Sequence, residues 1–400
     1  MTIKKIIDHS SLFVIIAGAG GFFLSNIILK IVLSPIQFGQ FSLIITYLSF
    51  MYIFGLLGFE QVFIRLSSAG SSNIIKTQNY QIKSILWISL FTSITGTISF
   101  KYLFSEIPIN FILLFIATYS ISNLMLIFTI FRLNSDFFIA QIIVNFWKII
   151  LFFISIFLLK FEFLFPVTTI LLIVIIIGFL ISLYFLRKTV IFQYNKDFSK
   201  NEIQGYFLHF FLSILIFSFL SFGDRFIFNE MFGIKEFGDY YYLCNFFLAP
   251  FSIFQNYIGF KHIIQFKESF NKKMFNKLIF KIICFGLILI LILSLISYFI
   301  FQYKILSFNF SKHIVAISLL LLIGLTKLYY AAIAALFEAI ATKNTIKLVN
   351  IYFLLFLIFN IIIGVIFIKT IAQLIFMVLL VWLFRCFIFR LILFKQYNKD

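Results

Sequence analysis

The sequence is poor in acidic residues, prolines, histidines and cysteines. Its 400 residues include 14 aspartates and glutamates, four prolines, four histidines and three cysteines. Cys244, Cys284 and Cys386 lie far apart in apolar segments, so they predict neither a disulfide framework nor a metal or redox motif. The sequence also lacks a phosphate-binding glycine loop, a metal-ligand cluster and a pair of carboxylates in a polar loop. We therefore predict no cofactor, no metal site and no enzymatic activity.

Charged residues of either sign are scarce. They make up 12% of the chain, against about 25% in a soluble domain, while hydrophobic residues make up 63%. A formal net charge of +18 would suggest nucleic-acid binding in a soluble protein. Here the basic residues stand mostly between apolar runs, where they orient a membrane protein. The composition predicts an integral membrane protein with no nucleic-acid partner.

Twelve apolar stretches are long enough to be transmembrane helices, because about 20 residues are needed to cross about 30 Å of hydrocarbon. They cover residues 10–33, 40–64, 84–104, 107–131, 137–159, 163–186, 203–229, 238–261, 278–301, 313–338, 347–368 and 370–394. Pro250 falls inside the eighth stretch, where proline should kink the helix. The predicted fold is an all-α, polytopic membrane protein with short connections.

The distribution of lysine and arginine predicts that both termini lie in the cytoplasm. With the N-terminus inside, 22 of these residues fall on the inner side, Arg385 and Arg390 among them, and seven on the outer side. Lys148, Arg225 and Lys327 remain within the predicted spans. Because inner loops of membrane proteins carry the excess of basic residues, this bias also favours an even number of spans.

A short motif occurs twice, half a chain apart. Phe38 and Gly39 lie in the segment Ser34–Leu43, and Phe237 and Gly238 lie 199 residues later in the segment Gly233–Leu243. A six-helix unit repeated in the same orientation gives this spacing, and such repeats occur in transporters whose site lies between the halves. We therefore predict two six-helix bundles, residues 1–200 and 201–400, around a central cavity.

Polar side chains within the predicted spans form the candidate site. A charge at the middle of a bilayer costs at least about 2.5 kcal/mol, so it should face a cavity or a partner. The fifth span carries Gln141, Asn145 and Lys148 on one helical face, and the tenth carries Lys327 and Glu338 on one face. Lys148 and Lys327 are central in their spans, and we interpret them as cations that face a cavity.

Six further candidates lie nearer to span ends or beside opposite charges. They are Asn26 and Lys30 in the first span, Glu60 and Arg65 in the second, and Asp224 and Arg225 in the seventh. The last pair can also hold helices together, and Arg65 can extend to the interface. Uncharged stripes of serine, threonine and glycine in the third and fourth spans predict helix-packing faces. They include Ser89, Thr92, Gly96, Ser99, Thr118, Ser122 and Thr129.

Several segments resemble bacterial polysaccharide biosynthesis flippases of the Wzx (O-antigen translocase) type. The similar segments are Lys4–Leu12, Leu33–Leu43, Gly58–Arg65 and Asp224–Tyr240, within residues 1–66 and 215–250. The Asp224-Arg225 pair followed by Phe-Gly-Asp-Tyr is the most specific part. This family belongs to the multidrug/oligosaccharidyl-lipid/polysaccharide exporter superfamily. The last third of the chain has no matching pattern.

The resemblance implies alternating access between the two faces of the bacterial cytoplasmic membrane, driven by a proton or sodium gradient. The cargo would be an oligosaccharide on undecaprenyl diphosphate, moved from the inner to the outer leaflet. Its other partners would be membrane lipids and polysaccharide assembly proteins. A diphosphate in a low-dielectric interior needs cations. The predicted substrate-binding residues are Lys148, Arg225, Lys327, Asn145, Gln141, Asn26 and Lys30. The candidates for ion coupling or gating are Asp224, Glu60, Arg65 and Glu338.

Three other functions stay open. A multidrug exporter of the same superfamily would require carboxylates in its cavity to bind cationic drugs. A membrane polysaccharide polymerase or ligase would carry a large outer loop with catalytic polar residues, whereas every predicted outer loop here is short. A lipid II flippase would carry two further spans, which this length hardly allows.

Overall fold

The computed structural model describes residues 3–69, 74–134, 136–161, 165–194, 200–268, 271–303 and 313–397. Within these ranges the chain is almost entirely helical. The first seven helices are α1 (Ile3–Val32), α2 (Pro35–Phe54), α3 (Phe59–Leu66), α4 (Asn79–Leu103), α5 (Phe111–Leu133), α6 (Phe137–Phe157) and α7 (Val167–Thr189). They are followed by α8 (Lys200–Phe232), α9 (Ile234–Glu268), α10 (Lys272–Gln302), α11 (Ile314–Ile340), α12 (Lys343–Phe367) and α13 (Ile371–Tyr397).

The prediction of a polytopic all-α membrane protein is confirmed. In the described ranges, 11 helical segments are long and apolar enough to cross a membrane, with α2 and α3 together forming one of them, Pro35–Leu66. Each of the twelve predicted spans coincides with one of these segments or with α9. Helix α9 is long enough to span, but Asp239, the tyrosines at 240–242 and Asn245 dilute its apolar residues. Pro250 lies inside α9, as predicted.

The chain divides into two compact units. Unit 1 comprises Met1–Arg225 and unit 2 comprises Phe226–Asp400, so the division falls within α8. The predicted boundary between residues 200 and 201 lies at the start of that helix, and the predicted six-plus-six arrangement stays a prediction.

In unit 1, α5 packs against α2, α4, α6 and α7, and α1 packs along α6. Small polar side chains let α5 approach its neighbours closely, because their hydroxyls bond back to the preceding turn. The Thr118 hydroxyl, for example, donates to the Leu114 carbonyl at 2.7 Å, and the Ser122 hydroxyl to the Thr118 carbonyl at 2.9 Å. Both side chains are fully buried. The hydroxyl stripe predicted for this helix is therefore a packing face.

The second span is broken, which corrects the prediction of one continuous helix over residues 40–64. Helix α2 ends at Phe54 and α3 begins at Phe59, with Leu57 (φ 51°) and Gly58 (φ 80°) in the left-handed region between them. Backbone carbonyls at a break inside a membrane need new hydrogen-bond donors. The Thr92 hydroxyl supplies one to the Gly55 carbonyl at 2.6 Å. The Met51 carbonyl keeps its helical bond from the Gly55 amide at 2.8 Å and also accepts from the Ser122 hydroxyl at 3.2 Å.

A small sheet joins two of the connections in unit 1, which the sequence did not predict. Strand β1 (Ser68–Ala69) pairs antiparallel with β2 (Ile74–Thr77), and β2 pairs in parallel with β3 (Ile191–Tyr194). Beneath it, the Ser67 hydroxyl donates to Thr77 Oγ1 at 3.0 Å, and Thr77 in turn donates to Gln81 Oε1 at 2.7 Å. The sheet therefore ties the end of the second span to the end of the sixth.

In unit 2, α11 packs against α9, α10 and α13, and α12 packs against α13. Aromatic rings fill the space at the start of α9. The ring of Tyr240 stacks on that of Phe228 at 4.3 Å between centroids, and Phe237, Tyr241 and Tyr242 are also buried. This aromatic packing anchors α9 to the end of α8.

The repeated Phe-Gly motif occupies the same place in each unit. Phe38 is the fourth residue of α2 and Phe237 is the fourth residue of α9, and both side chains are fully buried. The amide of Phe38 donates to the Ser34 carbonyl at 2.9 Å, and that of Phe237 donates to the Gly233 carbonyl at 3.0 Å. The sequence motif therefore marks equivalent helix starts in the two units.

Candidate functional site

Lys148 lies on α6 with Gln141 and Asn145, the polar set that helical spacing predicts on one face of this helix. Its Nζ donates to Asn145 Oδ1 at 3.3 Å and lies 5.6 Å from the centre of the Trp147 ring. Asn145 is 4% exposed, and its Nδ2 donates to the backbone carbonyl of Gln141 at 2.9 Å and to Gln141 Oε1 at 3.2 Å. Gln141, Asn145 and Lys148 are therefore linked in one chain of hydrogen bonds.

Helix α1 supplies the other side of this polar set. The ring of Phe22 meets that of Trp147 edge-on at 5.7 Å, and Gly18 lies directly against the side chain of Asn145. Asn26 is 1% exposed, and its Nδ2 donates to the Phe22 carbonyl at 2.7 Å. Its Oδ1 accepts no hydrogen bond from the described part of the chain. A buried amide oxygen that accepts no hydrogen bond destabilises the fold unless a ligand or water donates to it.

Lys30 and Arg65 occupy helix ends. Lys30 lies in the last turn of α1, with its ammonium 5.0 Å from the centre of the Phe38 ring. Arg65 lies in the last turn of α3 and is exposed, and its guanidinium lies 5.1 Å from the centre of the Tyr206 ring. Basic residues in the last turn of a helix are also stabilised by the negative end of the helix dipole. The exposed position of Arg65 fits an interfacial side chain.

Glu60 differs from Arg65 because it is buried. It lies in the first turn of α3, directly after the break in the second span, and is 1% exposed. Within the described residues, its Oε2 has no hydrogen-bond partner. A carboxylate held in this way is expensive in a membrane interior, and such residues mark ion pathways or substrate sites. Glu60 is therefore the strongest candidate for ion coupling in unit 1.

The remaining predicted site residues lie on α8 and α11. Asp224 and Arg225 are half-buried on α8, where the Arg225 guanidinium lies 5.4 Å from the centre of the Phe222 ring. Lys327 is half-buried on α11, with its ammonium 4.9 Å from the centre of the Trp382 ring. Glu338 is in α11, but its side chain lies outside the described residues. The convergence of these residues and Lys148 on one cavity stays a prediction.

Arg385 is a buried cation that the candidate site predicted from the sequence does not include, because the charge distribution places it among the inner-side charges. The structure corrects this: Arg385 lies inside α13 and is 5% exposed. Its Nε donates to the Tyr330 hydroxyl at 2.9 Å, and its guanidinium lies 5.0–5.1 Å from the ring centres of Tyr330, Phe353 and Phe389. The available signal was its position inside the apolar stretch 370–394.

Lys327 and Arg385 share aromatic neighbours. The Tyr330 hydroxyl accepts the hydrogen bond from Arg385 Nε, and the Tyr330 ring meets the Trp382 ring edge-on at 5.4 Å. The Trp382 ring in turn faces the ammonium of Lys327. Aromatic faces attract cations through their quadrupole, and the attraction is stronger away from water. Unit 2 therefore holds two intramembrane cations against aromatic rings of α11 and α13. Among the described residues, no group of three His, Cys, Asp or Glu side chains could hold a metal ion.

These observations define a polytopic all-α membrane protein with basic side chains inside its spans. The fold is that of a MATE transporter. A solved structure, described as the outward-facing conformation of a multidrug resistance MATE family transporter of the MOP superfamily, matches 97% of this chain and 96% of its own. The TM-score is 0.58 and the sequence identity 13%, so the likeness concerns the fold. No family model and no curated protein matches the sequence.

Proposed function

We propose that this protein is a flippase that moves an oligosaccharide on undecaprenyl diphosphate from the inner to the outer leaflet of a bacterial cytoplasmic membrane. The observation that carries the proposal is the set of basic side chains within the spans, Lys148, Lys327 and Arg385. An anionic diphosphate needs such cations to enter a low-dielectric interior. The MATE fold supports a transport function by analogy. Both termini would lie in the cytoplasm.

A multidrug exporter is the second candidate. It is favoured by the likeness to a multidrug resistance transporter and by the buried carboxylate of Glu60. A cationic drug would bind to a carboxylate and would be repelled by nearby lysines. Because cations outnumber carboxylates among the described side chains within the spans, we favour the anionic cargo.

Replacing either Lys148 or Lys327 by alanine should reduce surface polysaccharide display while the protein remains in the membrane. A charge-assisted hydrogen bond or ion contact contributes about 1.5–3 kcal/mol, so the translocation rate should fall about tenfold to hundredfold. Display is measured by immunoblotting of the surface glycan in cells that depend on the variant. Lys160→Ala is the matched control, because Lys160 is exposed just beyond the end of α6.

Two results would contradict the flippase proposal. Normal display with both lysine variants would remove the role of the intramembrane cations. Two observations together would identify the multidrug exporter instead: unchanged polysaccharide display after deletion of the gene, and resistance to cationic dyes restored by expression of the gene in a sensitive strain.

Glu60 is proposed to bind the coupling cation, a proton or sodium. Glu60→Gln keeps the shape of the side chain but removes its charge, so transport into proteoliposomes should no longer respond to an imposed proton or sodium gradient. We expect the gradient-dependent rate to fall at least about tenfold, since a charged partner contributes about 1.5–3 kcal/mol. Glu106→Gln, in the exposed turn after α4, is the control. An unchanged gradient response in Glu60→Gln would exclude this role.

A further inference from the structure

Gly18 forms a notch in α1 that receives the side chain of Asn145. A β-carbon built on Gly18 would overlap Cβ, Cγ and Oδ1 of Asn145. Gly20, two residues further on in the same helix, has no neighbouring atom within 4 Å of a β-carbon. Residue 18 must therefore be glycine because Asn145 on α6 fills the space of a side chain, and not because α1 itself requires a glycine.

Asn145 connects this notch to Lys148. Its Oδ1 accepts the hydrogen bond from Lys148 Nζ at 3.3 Å, and its Nδ2 donates to the Gln141 carbonyl at 2.9 Å. The amide is thus held from one side by Gln141 and presents its oxygen to the ammonium. Since Asn145 is 4% exposed, its side chain has little freedom to adopt another position.

We propose that Gly18 and Asn145 are positioning residues that fix the ammonium of Lys148 where it binds the anionic group of the cargo. The proposal rests on the proposed function and gives Asn145 a different role from the one predicted, since it acts through Lys148. A lysine is a point charge on a flexible four-carbon stem, so its location is set by the groups that bind it. A side chain held by supporting hydrogen bonds binds a ligand more tightly than a mobile one.

The notch explains why α1 takes part in this site. Any side chain at residue 18 must displace Asn145 or separate α1 from α6. Displacing Asn145 moves the acceptor away from Lys148 and breaks its bond to Gln141. The ring of Phe22 against Trp147 keeps the two helices together one turn further along, so the local displacement of Asn145 is the expected response.

The test compares four variants in nanodiscs: Gly18→Ala, Gly20→Ala, Asn145→Ala and the double variant Gly18→Ala/Asn145→Ala. The probe is undecaprenyl diphosphate, and the dissociation constant is measured together with the apparent melting temperature. Gly18→Ala and Asn145→Ala should each weaken binding about tenfold, as expected for the loss of a charge-assisted hydrogen bond. The double variant should bind as weakly as either single variant, because all three lose the same contact. Gly20→Ala should bind as the native protein does.

The double variant separates positioning from simple packing. Asn145→Ala removes the atoms that clash with residue 18. If Gly18 served packing alone, the double variant would bind more tightly than Gly18→Ala, which would overturn the proposal. Its melting temperature should recover in either case, because the clash with Asn145 is gone. Native-like binding by Gly18→Ala or by Asn145→Ala would also overturn it.

Lys148→Ala distinguishes the failure of this proposal from that of the proposed function. If Lys148→Ala binds the probe normally, the cationic site itself is wrong. If Lys148→Ala binds weakly while Gly18→Ala binds as Gly20→Ala does, the cationic site stands and the positioning role fails.

Discussion

Gly58→Ala should destabilise the protein by about 2–5 kcal/mol, because a left-handed residue with a β-carbon costs about 1–2 kcal/mol and forced overpacking about 1–3 kcal/mol. Gly58 has a φ of 80°, and a β-carbon there would lie 2.8 Å from the carbonyl oxygen of Phe210 on α8. A backbone atom cannot move aside as a flexible side chain can. The substitution must therefore shift α3 against α8 or change the break itself.

Gly233→Ala is the matched control for this change. Gly233 has nearly the same φ, 84°, but it is exposed, and the atom nearest to its β-carbon would be Glu236 Oε2 at 3.8 Å. The free energy of unfolding of the control should therefore fall only by the cost of the left-handed conformation, about 1–2 kcal/mol. The measurement is the apparent melting temperature in detergent with the amount of folded protein in the membrane. Equal losses for the two variants would show that the contact with Phe210 has no effect.

The break that Gly58 maintains is also where function is expected. Interrupted helices in corresponding positions of two halves indicate binding sites in secondary transporters. The break begins at Gly55, 17 residues after Phe38 of the repeated motif. In unit 2, Pro250 lies inside the continuous helix α9, 13 residues after Phe237 and about one turn earlier in the corresponding helix, where it removes one backbone N–H donor. The interruption in unit 1 is followed at once by the buried Glu60. The proposed coupling site thus coincides with an interrupted helix.

The helices themselves could be predicted because apolar stretches of span length have one stable structure in a bilayer. The predicted stretch 137–159, for example, is α6 (Phe137–Phe157), and 313–338 is α11 (Ile314–Ile340). The repeated Phe-Gly motif also had a physical meaning, since it begins equivalent helices. The set of Gln141, Asn145 and Lys148 followed from helical spacing alone, because residues three and four apart lie on one face.

The features that escaped prediction depend on contacts between distant segments. Residues 55–58 are Gly-Leu-Leu-Gly, which is apolar and compatible with a continuous span. Their departure from the helix is accommodated by a hydroxyl on another helix, that of Thr92, which donates to the Gly55 carbonyl. The parallel pairing of β2 with β3 joins segments more than 100 residues apart, and both strands are too short to give a pattern. The importance of Gly18 lies wholly in its neighbour on α6.

Arg385→Met should abolish polysaccharide display while leaving the protein as stable as before or more so. The desolvation penalty of a buried ion is about several kcal/mol, which offsets the about 1.5–3 kcal/mol lost with the hydrogen bond to the Tyr330 hydroxyl. Arg385 is 5% exposed and surrounded by the rings of Tyr330, Phe353 and Phe389, where methionine packs well. A charge retained at such cost inside a membrane indicates function.

Two further variants make this expectation specific. Arg385→Lys keeps the charge but loses the planar group that stacks on the rings and donates to the Tyr330 hydroxyl, so display should fall in part. Arg390→Met changes an exposed arginine on the same helix, whose Nη1 donates to the Tyr329 hydroxyl at 2.7 Å, and should leave display unchanged. Normal display with Arg385→Met would show that the guanidinium only packs α11, α12 and α13 together. Loss of folded Arg385→Met from the membrane would show that its role is structural, because a residue kept only for cargo binding can be replaced without loss of the fold.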